Sequence, residues 1–562
     1  MDRTITLTPE LAYRAICPST AFWDHGKYSG GDVIDAQLPW DHSPLNPKNR
    51  IDSLTPVRTP KWRIDGCTSL GTQFFAVPIS ISPLPPLRVD TFLPDPAHWP
   101  AQLRLDLDFE KAFLFRDSRT AYFGISQHIL RALEFWSASI ADFETVYRDL
   151  TFGSRIMFEN IAKDVRDIRV RIIRTHDLER QLLSLADLKL NQQITLPGTL
   201  DISQLTLVRQ FQDSASLVRI LGSDDIKHPV VFKTLSDTPK YLYHELGTLL
   251  SLPEHANVIS KPEHIITKQC KFGGKVAVVG FTIQYHRQGS LRDVLAHRRH
   301  LGTLTWEHQI KWACQIVMAL RHIKSQGPGW YCDLRLDNVL LSNEDDVVLI
   351  DFEQRGVLPA FASPLDNYLQ YVNVLVNEPL LHPAARKEYA DLYDTHIRPF
   401  VPKRTDQHRG CVPWLCMSKS ERDASELYIL ARLLWCIFEG VCAPQRELWM
   451  EYMYEPDIEF PEFRRTPKEL RELILICTPS WNRVVKTLQR KAFKLNIRGS
   501  SDDIQKHEKE ALAAIVDMWH GELHRAKDFL SNRRARCEDI SGGNVGCGSL
   551  KLDRILQKLQ QL

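Results

Sequence analysis

WYCDLRLDNVLLSNEDDVVLIDFE, residues Trp330 to Glu353, holds two short apolar runs, Val339 to Leu341 and Val347 to Ile350, separated by a polar turn, Ser342 to Asp346. Branched apolar residues bounded by turn formers predict two strands joined in a tight hairpin. Asp333 and Asn338 stand just before the first strand and Asp351 just after the second, so the hairpin directs three oxygen-bearing side chains toward one small volume. Hard cations such as Mg²⁺ take oxygen ligands, usually one or two protein carboxylates together with phosphate oxygens. A buried hairpin whose acids only cap turns fits the same residues.

The order Asp-Leu-Arg-x-x-Asn from Asp333, followed by Ile350-Asp351-Phe352, resembles the catalytic loop and metal-binding motif of the protein kinase superfamily, and the Asn338-to-Asp351 spacing agrees. The resemblance implies an α+β, two-lobed kinase-like fold: a small β-rich lobe and a large helical lobe, here with an N-terminal extension and a helical C-terminal tail. It implies ATP and Mg²⁺ as cofactors, Asp333 as the base that receives the substrate hydroxyl proton, and Asn338 and Asp351 as metal ligands. Arg335 stands where many Ser/Thr kinases have a phosphate-contacting Lys.

The whole chain sets wider bounds. Its 562 residues, 43% hydrophobic, suffice for more than one core. A net charge of +2 gives no sign of a nucleic-acid-binding surface. The 12 cysteines lack paired C-x-x-C spacing, which argues against a zinc site and for buried thiols in a reducing compartment. The first residues, MDRTITLTPELAYR, contain no apolar signal core, and no run of about 18 uncharged apolar residues predicts a membrane span. The expectation is an intracellular protein, cytoplasmic or nuclear, with ATP and a protein substrate as partners, and neither nucleic acid nor a membrane span.

Four regions follow from composition and periodicity. Residues 1–125 are irregular and Pro-rich, with short β-like runs such as Phe74 to Ile81 that suit a small sheet or an extended arm. Residues 126–200 read as helical: Ile129, Leu133, Trp136 and Ile140 recur at helical spacing, and a second run passes through Ile156, Ile161, Val165, Ile168 and Ile172. Residues 201–490 carry the kinase-like pattern. Residues 491–562 form a helical tail, basic at Arg533, Arg534 and Arg536, that ends in an amphipathic stretch from Leu550 to Leu562.

Within 201–490 the likeness extends in both directions from the hairpin. Strand patterns at Leu205 to Val208 and Leu217 to Leu221 precede VVFKTL, which resembles the third strand of a kinase small lobe and makes Lys233 the phosphate-pairing lysine. Glu245, twelve residues on in a helical pattern from Tyr241 to Leu252, is its implied partner. YHRQGSL from Tyr285 looks like the hinge, where backbone groups of Tyr285 and His286 meet an adenine edge and Ile283 lies behind; a plain strand-to-helix turn fits this segment equally well. Helices are predicted from Trp306 to Lys324, around Pro364 to Leu381, from Asp423 to Gly440 and from Thr466 to Thr478. The third resembles the central helix of the large lobe, with Asp423 bracing the catalytic loop. In the last, Thr466 is the expected cap.

Departures from the family pattern temper the chemistry. No glycine lies between Thr206 and Gly222, so QFQDSAS replaces the Gly-rich loop over the phosphates. Glu353 stands where the metal motif has Gly, Tyr331 and Cys332 replace His-Arg, and no Ala-Pro-Glu element can be placed before Asp423. The expected function is ATP-dependent phosphoryl transfer to Ser/Thr hydroxyls of proteins. A pseudokinase scaffold, or a small-molecule kinase of the choline or aminoglycoside type suggested by LIDFE, are the alternatives.

Overall fold

The computed structural model describes residues 51–109, 124–222, 229–398, 414–442, 463–477, 523–531 and 547–562, with short gaps inside these ranges. The chain is α+β and divides into two units. A strand-rich unit holds the described residues of Phe22–Leu250 and Ser260–Tyr285, and a helical unit those of Ser251–Ile259 and His286–Leu562.

The strand-rich unit contains two sheets. The first has the order β1 (Trp62–Cys67), β2 (Gln73–Pro78), β3 (Asp90–Phe92), β4 (Arg155–Phe158), β5 (Val170–Ile173), and only β3 and β4 run parallel. Strand β2, QFFAVP, is buried over all but its first residue and ends at Pro78, which has no N–H to continue a ladder. Helices α1 (Ala101–Asp106), α2 (Gly124–Ala138) and α3 (Phe143–Arg148) belong to this layer. Ile125, Ile129 and Leu133 of α2 enter one core with Trp62, Phe74 and Ile156. The described residues between 51 and 107 thus form part of a small sheet, one of the two expectations for this region, with β2 on the β-like run that begins near Phe74.

The second helical run expected between Ile156 and Ile172 is instead the hairpin of β4 and β5. Its isoleucines are β-branched and suit a pleated surface. Asn160 breaks any helix here, because its side chain donates to the Asp167 carbonyl (3.0 Å) and accepts from the Arg169 N–H (2.8 Å). Asp164 then caps a single 3₁₀ turn, Val165–Asp167.

A short helix, α4 (Asp177–Gln181), leads to the second sheet, ordered β6 (Gly198–Asp201), β10 (His264–Gln269), β11 (Val276–Ile283), β9 (Val230–Thr234), β8 (Ala215–Ile220), β7 (Leu205–Gln210). Neighbours are antiparallel except β6 beside β10. Strand β11, VAVVGFTI, is buried at all but its first residue, the signature of a central strand. Gly280 within it is obligatory: a Cβ would lie 2.2 Å from the Lys233 carbonyl oxygen and 2.5 Å from the Phe232 ring. Helix α5 (Lys240–Ser251) buries Leu242, Glu245, Leu246 and Leu249.

In the helical unit, α6 (Leu291–His300) and α7 (Trp306–Gln326) precede the hairpin of β12 (Val339–Leu341) and β13 (Val347–Leu349), followed by α8 (Pro364–Asn377), α9 (Pro383–His396), α10 (Lys419–Glu439), α11 (Lys468–Ile476) and α12 (Cys547–Gln560). The hairpin pairs Val339 with Leu349 and Leu341 with Val347. Its turn is bound to α7, where Trp312 Nε1 donates to the Asp345 carbonyl (3.1 Å) and Gln315 bridges the Asp346 carboxylate (2.6 Å) and the Val347 N–H (2.8 Å). From Ala424 to Glu439 every residue of α10 is buried, and Gly440, with φ 66°, closes the helix in the left-handed conformation. Helix α12 buries Leu552, Ile555 and Leu559, and its Asp553 pairs with Arg321 of α7 at 2.6 Å. Arg533, Arg534 and Arg536 lie outside the described residues. Among the described residues, no helix is long and apolar enough to cross a membrane.

Thr466 does not cap α11 as expected. Pro467 occupies the cap position, while the Thr466 hydroxyl and N–H both donate to Glu439 at the end of α10 (2.5 and 3.0 Å). The N–H groups of Arg464 and Arg465 also reach that carboxylate. Burial works against the charge of Glu439, but these hydrogen bonds outweigh it and hold the carboxyl below its ordinary pKa.

Candidate functional site

In the helical unit, Asp333 and Asn338 meet. Between the loop and β12 lies one 3₁₀ turn, Leu336–Asn338, which brings the Asn338 side chain back over the loop. Its Nδ2 donates to both the carbonyl and the Oδ2 of Asp333, each at 2.9 Å. The Ile350 N–H donates to the Asn338 carbonyl at 3.0 Å, tying the loop to the end of the hairpin. One residue on, Asp351 sits at φ 67°, in the left-handed region that aspartate enters more readily than most side chains but less readily than glycine.

Arg335 lies with its Nε 3.4 Å from Asp333 Oδ1, and with its guanidinium 4.0 Å from Asp337, which Arg292 of α6 also holds at 2.9 Å. Burial pushes the Asp333 carboxyl up to about 6; Arg335 opposes this and the Asp351 charge adds to it. For Arg335, burial disfavours the charge, but Asp333, Asp337 and Asp351 outweigh it and raise the pKa. A carboxylate in this range is a stronger base than a surface aspartate and remains ionised at neutral pH.

The charge that Glu353 adds beside Asp351 is answered locally by Arg355, whose Nε lies 2.5 Å from Glu353 Oε2. Tyr331, fully buried, donates its hydroxyl to the Ile350 carbonyl and sets its ring 5.3 Å from Phe352. Burial, with the nearby Asp351 and Asp333 charges, raises its pKa far enough that it stays a donor.

Two supports of this loop were not legible in the sequence. The Tyr331 N–H donates to Glu426 of α10 (3.2 Å), which also pairs with Lys324 (2.9 Å). Asp423, expected in the bracing role, pairs with Lys324 at 2.7 Å instead. The correction moves the brace one helical turn along the same face of α10, from Asp423 to Glu426. Gln354, also at positive φ (56°), spans the loop from the other side. Its Oε1 accepts from the Cys332 N–H (3.0 Å) and its Nε2 donates to the Trp330 carbonyl (3.3 Å). No sequence pattern marked it.

In the strand-rich unit, Lys233 and Glu245 form an ion pair at 3.5 Å, with 5% and 1% of their surfaces exposed. Register sets the lysine: it lies opposite Ala215 of β8 and Phe281 of β11, at the centre of the sheet. Tyr285 closes this unit just after β11 and stacks on Phe211, with ring centroids 5.8 Å apart. His286 belongs to the helical unit; it is buried, its pKa is lowered by that burial, and its carbonyl accepts from the Gly289 N–H (3.3 Å).

The donor set suits a hard cation. With the Asn338 amide nitrogen committed to Asp333, that side chain offers its carbonyl oxygen, and Asp351 offers a carboxylate close enough to shift Asp333. A scan of protein-family models finds none that matches this sequence, and a search of curated proteins finds no match either.

Proposed function

We propose that the chain is an ATP-dependent phosphotransferase of protein kinase type, acting on Ser/Thr hydroxyls of proteins. The observation that carries this reading is the buried pair of Lys233 and Glu245. Removing two charges from water is expensive, and apolar residues of the same size commonly serve stability as well or better. A lysine held this way by a helix carboxylate, in the middle of a sheet, suits a role in pairing with phosphate oxygens. The Asp333–Asn338 bond in the other unit is the second support.

On this reading Asp333 accepts the substrate hydroxyl proton as the oxygen attacks the γ-phosphorus, the bridging P–O bond between the β- and γ-phosphates breaks, and ADP leaves with that electron pair. Arg335 neutralises charge on the transferring phosphoryl group, and Asn338 and Asp351 would hold the metal. Bound Mg²⁺ would supply neutralisation of the phosphate oxygens. Positioning and charge complementarity supply most of the catalysis in phosphoryl transfer, so the fixed geometry of the Asp333 loop bears directly on rate.

One observation favours a second reading, a scaffold that binds partners without turnover. Phe211, from the glycine-free turn, stacks on Tyr285, the residue assigned to the adenine edge. The test is incubation of the purified chain with Mg-ATP and a generic protein substrate beside Asp333→Asn. Phosphate incorporation that the variant loses supports the kinase; nucleotide binding without turnover in the unaltered chain supports the scaffold. ATP consumption only with amino alcohols or aminoglycosides would indicate a small-molecule kinase.

A further inference from the structure

Strand β7 is an edge of the second sheet, and edge strands present unpaired N–H and C=O groups. Here that edge is taken up by the first sheet and the segment between β2 and β3. The Leu207 N–H donates to the Leu84 carbonyl (2.7 Å), Arg63 donates to the Val208 carbonyl (2.8 Å), and the Gln210 N–H donates to Asp65 Oδ2 (2.8 Å). At the end of the strand the Gln210 side chain donates to Asp90 (3.1 Å), and just past it Arg88 donates to the Gln212 carbonyl (3.2 Å). These groups are fixed in turn: Arg63 pairs with Asp65 at 2.5 Å and Arg88 with Asp90 at 3.1 Å. Asp65, Arg88, Asp90 and Gln210 are all buried.

The turn held in this way, Phe211 to Ser214, is the glycine-free substitute for a phosphate loop. Its far end is tied to the lysine strand, where the Thr234 N–H donates to the Ser214 carbonyl at 2.9 Å. Glycines give a loop the freedom to bring backbone amides close to a ligand. Without them, the turn takes the shape its attachments impose.

We infer that the N-terminal sheet layer is a built-in part of the nucleotide site, in which Asp65 and Arg88 are positioning residues that set the β7–β8 turn for the phosphates of ATP. This rests on the kinase reading, and it gives residues 62–92 a task in that reading. The test uses the full chain, with Mg-ATP and adenosine as separate probes in calorimetric titrations. The variants are Asp65→Leu, Asp65→Asn, which keeps an oxygen acceptor for the Gln210 N–H, and Arg88→Lys, which keeps the charge.

Asp65→Leu is expected to weaken Mg-ATP binding by tenfold or more and leave adenosine affinity within twofold, because adenosine has no phosphates; Asp65→Asn recovers most of the loss. Should Asp65→Leu fail to fold, Arg88→Lys carries the same expectation at a smaller, three- to fivefold effect. Equal weakening of both probes means general damage and overturns the inference, as does unchanged Mg-ATP affinity. If the unaltered chain binds neither probe, the nucleotide reading itself fails and the inference with it; if it binds both and the variants are indifferent, only the inference fails.

Discussion

The Tyr331 N–H donates to Glu426 Oε1 across 3.2 Å, and the same carboxylate pairs with Lys324 at 2.9 Å. One buried charge thereby fixes the start of the loop that carries Asp333 to two helices. Burial raises the Glu426 pKa, while Lys324 and the Tyr331 amide favour the ionised form. Glu426→Ala leaves a buried ammonium and an amide without this partner and is expected to destabilise the helical unit by about 3 kcal/mol. Glu426→Gln keeps an acceptor and loses less. Asp423→Asn, on a more exposed carboxylate (19% against 3%), costs under about 1 kcal/mol. Urea unfolding of the three variants gives this order, or shows that Asp423 is the brace after all.

Lys233 and Glu245 allow stability to be separated from nucleotide binding. Lys233→Met takes its cation from a buried carboxylate and is expected to lower the unfolding midpoint clearly. Lys233→Met combined with Glu245→Leu removes both charges and recovers most of that stability. Under the proposed function neither variant regains stabilisation by Mg-ATP, since a ligand raises the melting temperature only by binding the folded state. Thermal shift with and without Mg-ATP reads both effects, and a double variant that still responds to nucleotide would rule the lysine out as a phosphate partner.

Gln354 makes a third case. Its amide spans Trp330 and Cys332 from a backbone at φ 56°. Gln354→Ala removes both bonds and keeps the unfavourable φ, whereas Gln354→Gly removes the bonds and accepts that φ. Alanine is expected to cost about 1 kcal/mol more than glycine. Both speed hydrogen exchange at the Cys332 amide, and equal exchange in all three proteins would show that the side chain does not hold the loop.

How far the sequence could be read depended on whether the signal was local. The β12–β13 hairpin, α5, α7 and α10 announce themselves through periodicity and turn residues, and the Lys233–Glu245 pair was expected only from the resemblance of VVFKTL and the following helix to a kinase small lobe. The β4–β5 hairpin misled because Ile156, Ile161, Val165, Ile168 and Ile172 approximate helical spacing, while the deciding bonds of Asn160 lie in side-chain geometry. Glu426, Gln354, Asp65 and Arg88 work across separations of 22 to 145 residues, where no local pattern points to a partner.

His128 ties the stability of the N-terminal layer to pH. It is fully buried on α2: Ser53 Oγ lies 2.6 Å from Nδ1, and the Ala162 carbonyl lies 2.9 Å from Nε2. Nε2–H is therefore the donor to Ala162, and Nδ1 accepts from the serine. Burial lowers the pKa from 6.5 to about 4, against smaller upward pulls from the Ala162 bond and Asp164. Because the folded pKa lies below the unfolded one, the unfolded chain takes up a proton that the folded chain refuses between pH 6.5 and 4. Stability is complete above about pH 6.5 and falls as the pH drops through that window, by at most about 3 kcal/mol from this residue. Urea unfolding followed by the fluorescence of Trp62 and Trp136 should show the loss. His128→Gln, which does not titrate, should flatten the slope between pH 6.5 and 4 even where it lowers stability at pH 7, and an unchanged slope would place the acid sensitivity elsewhere.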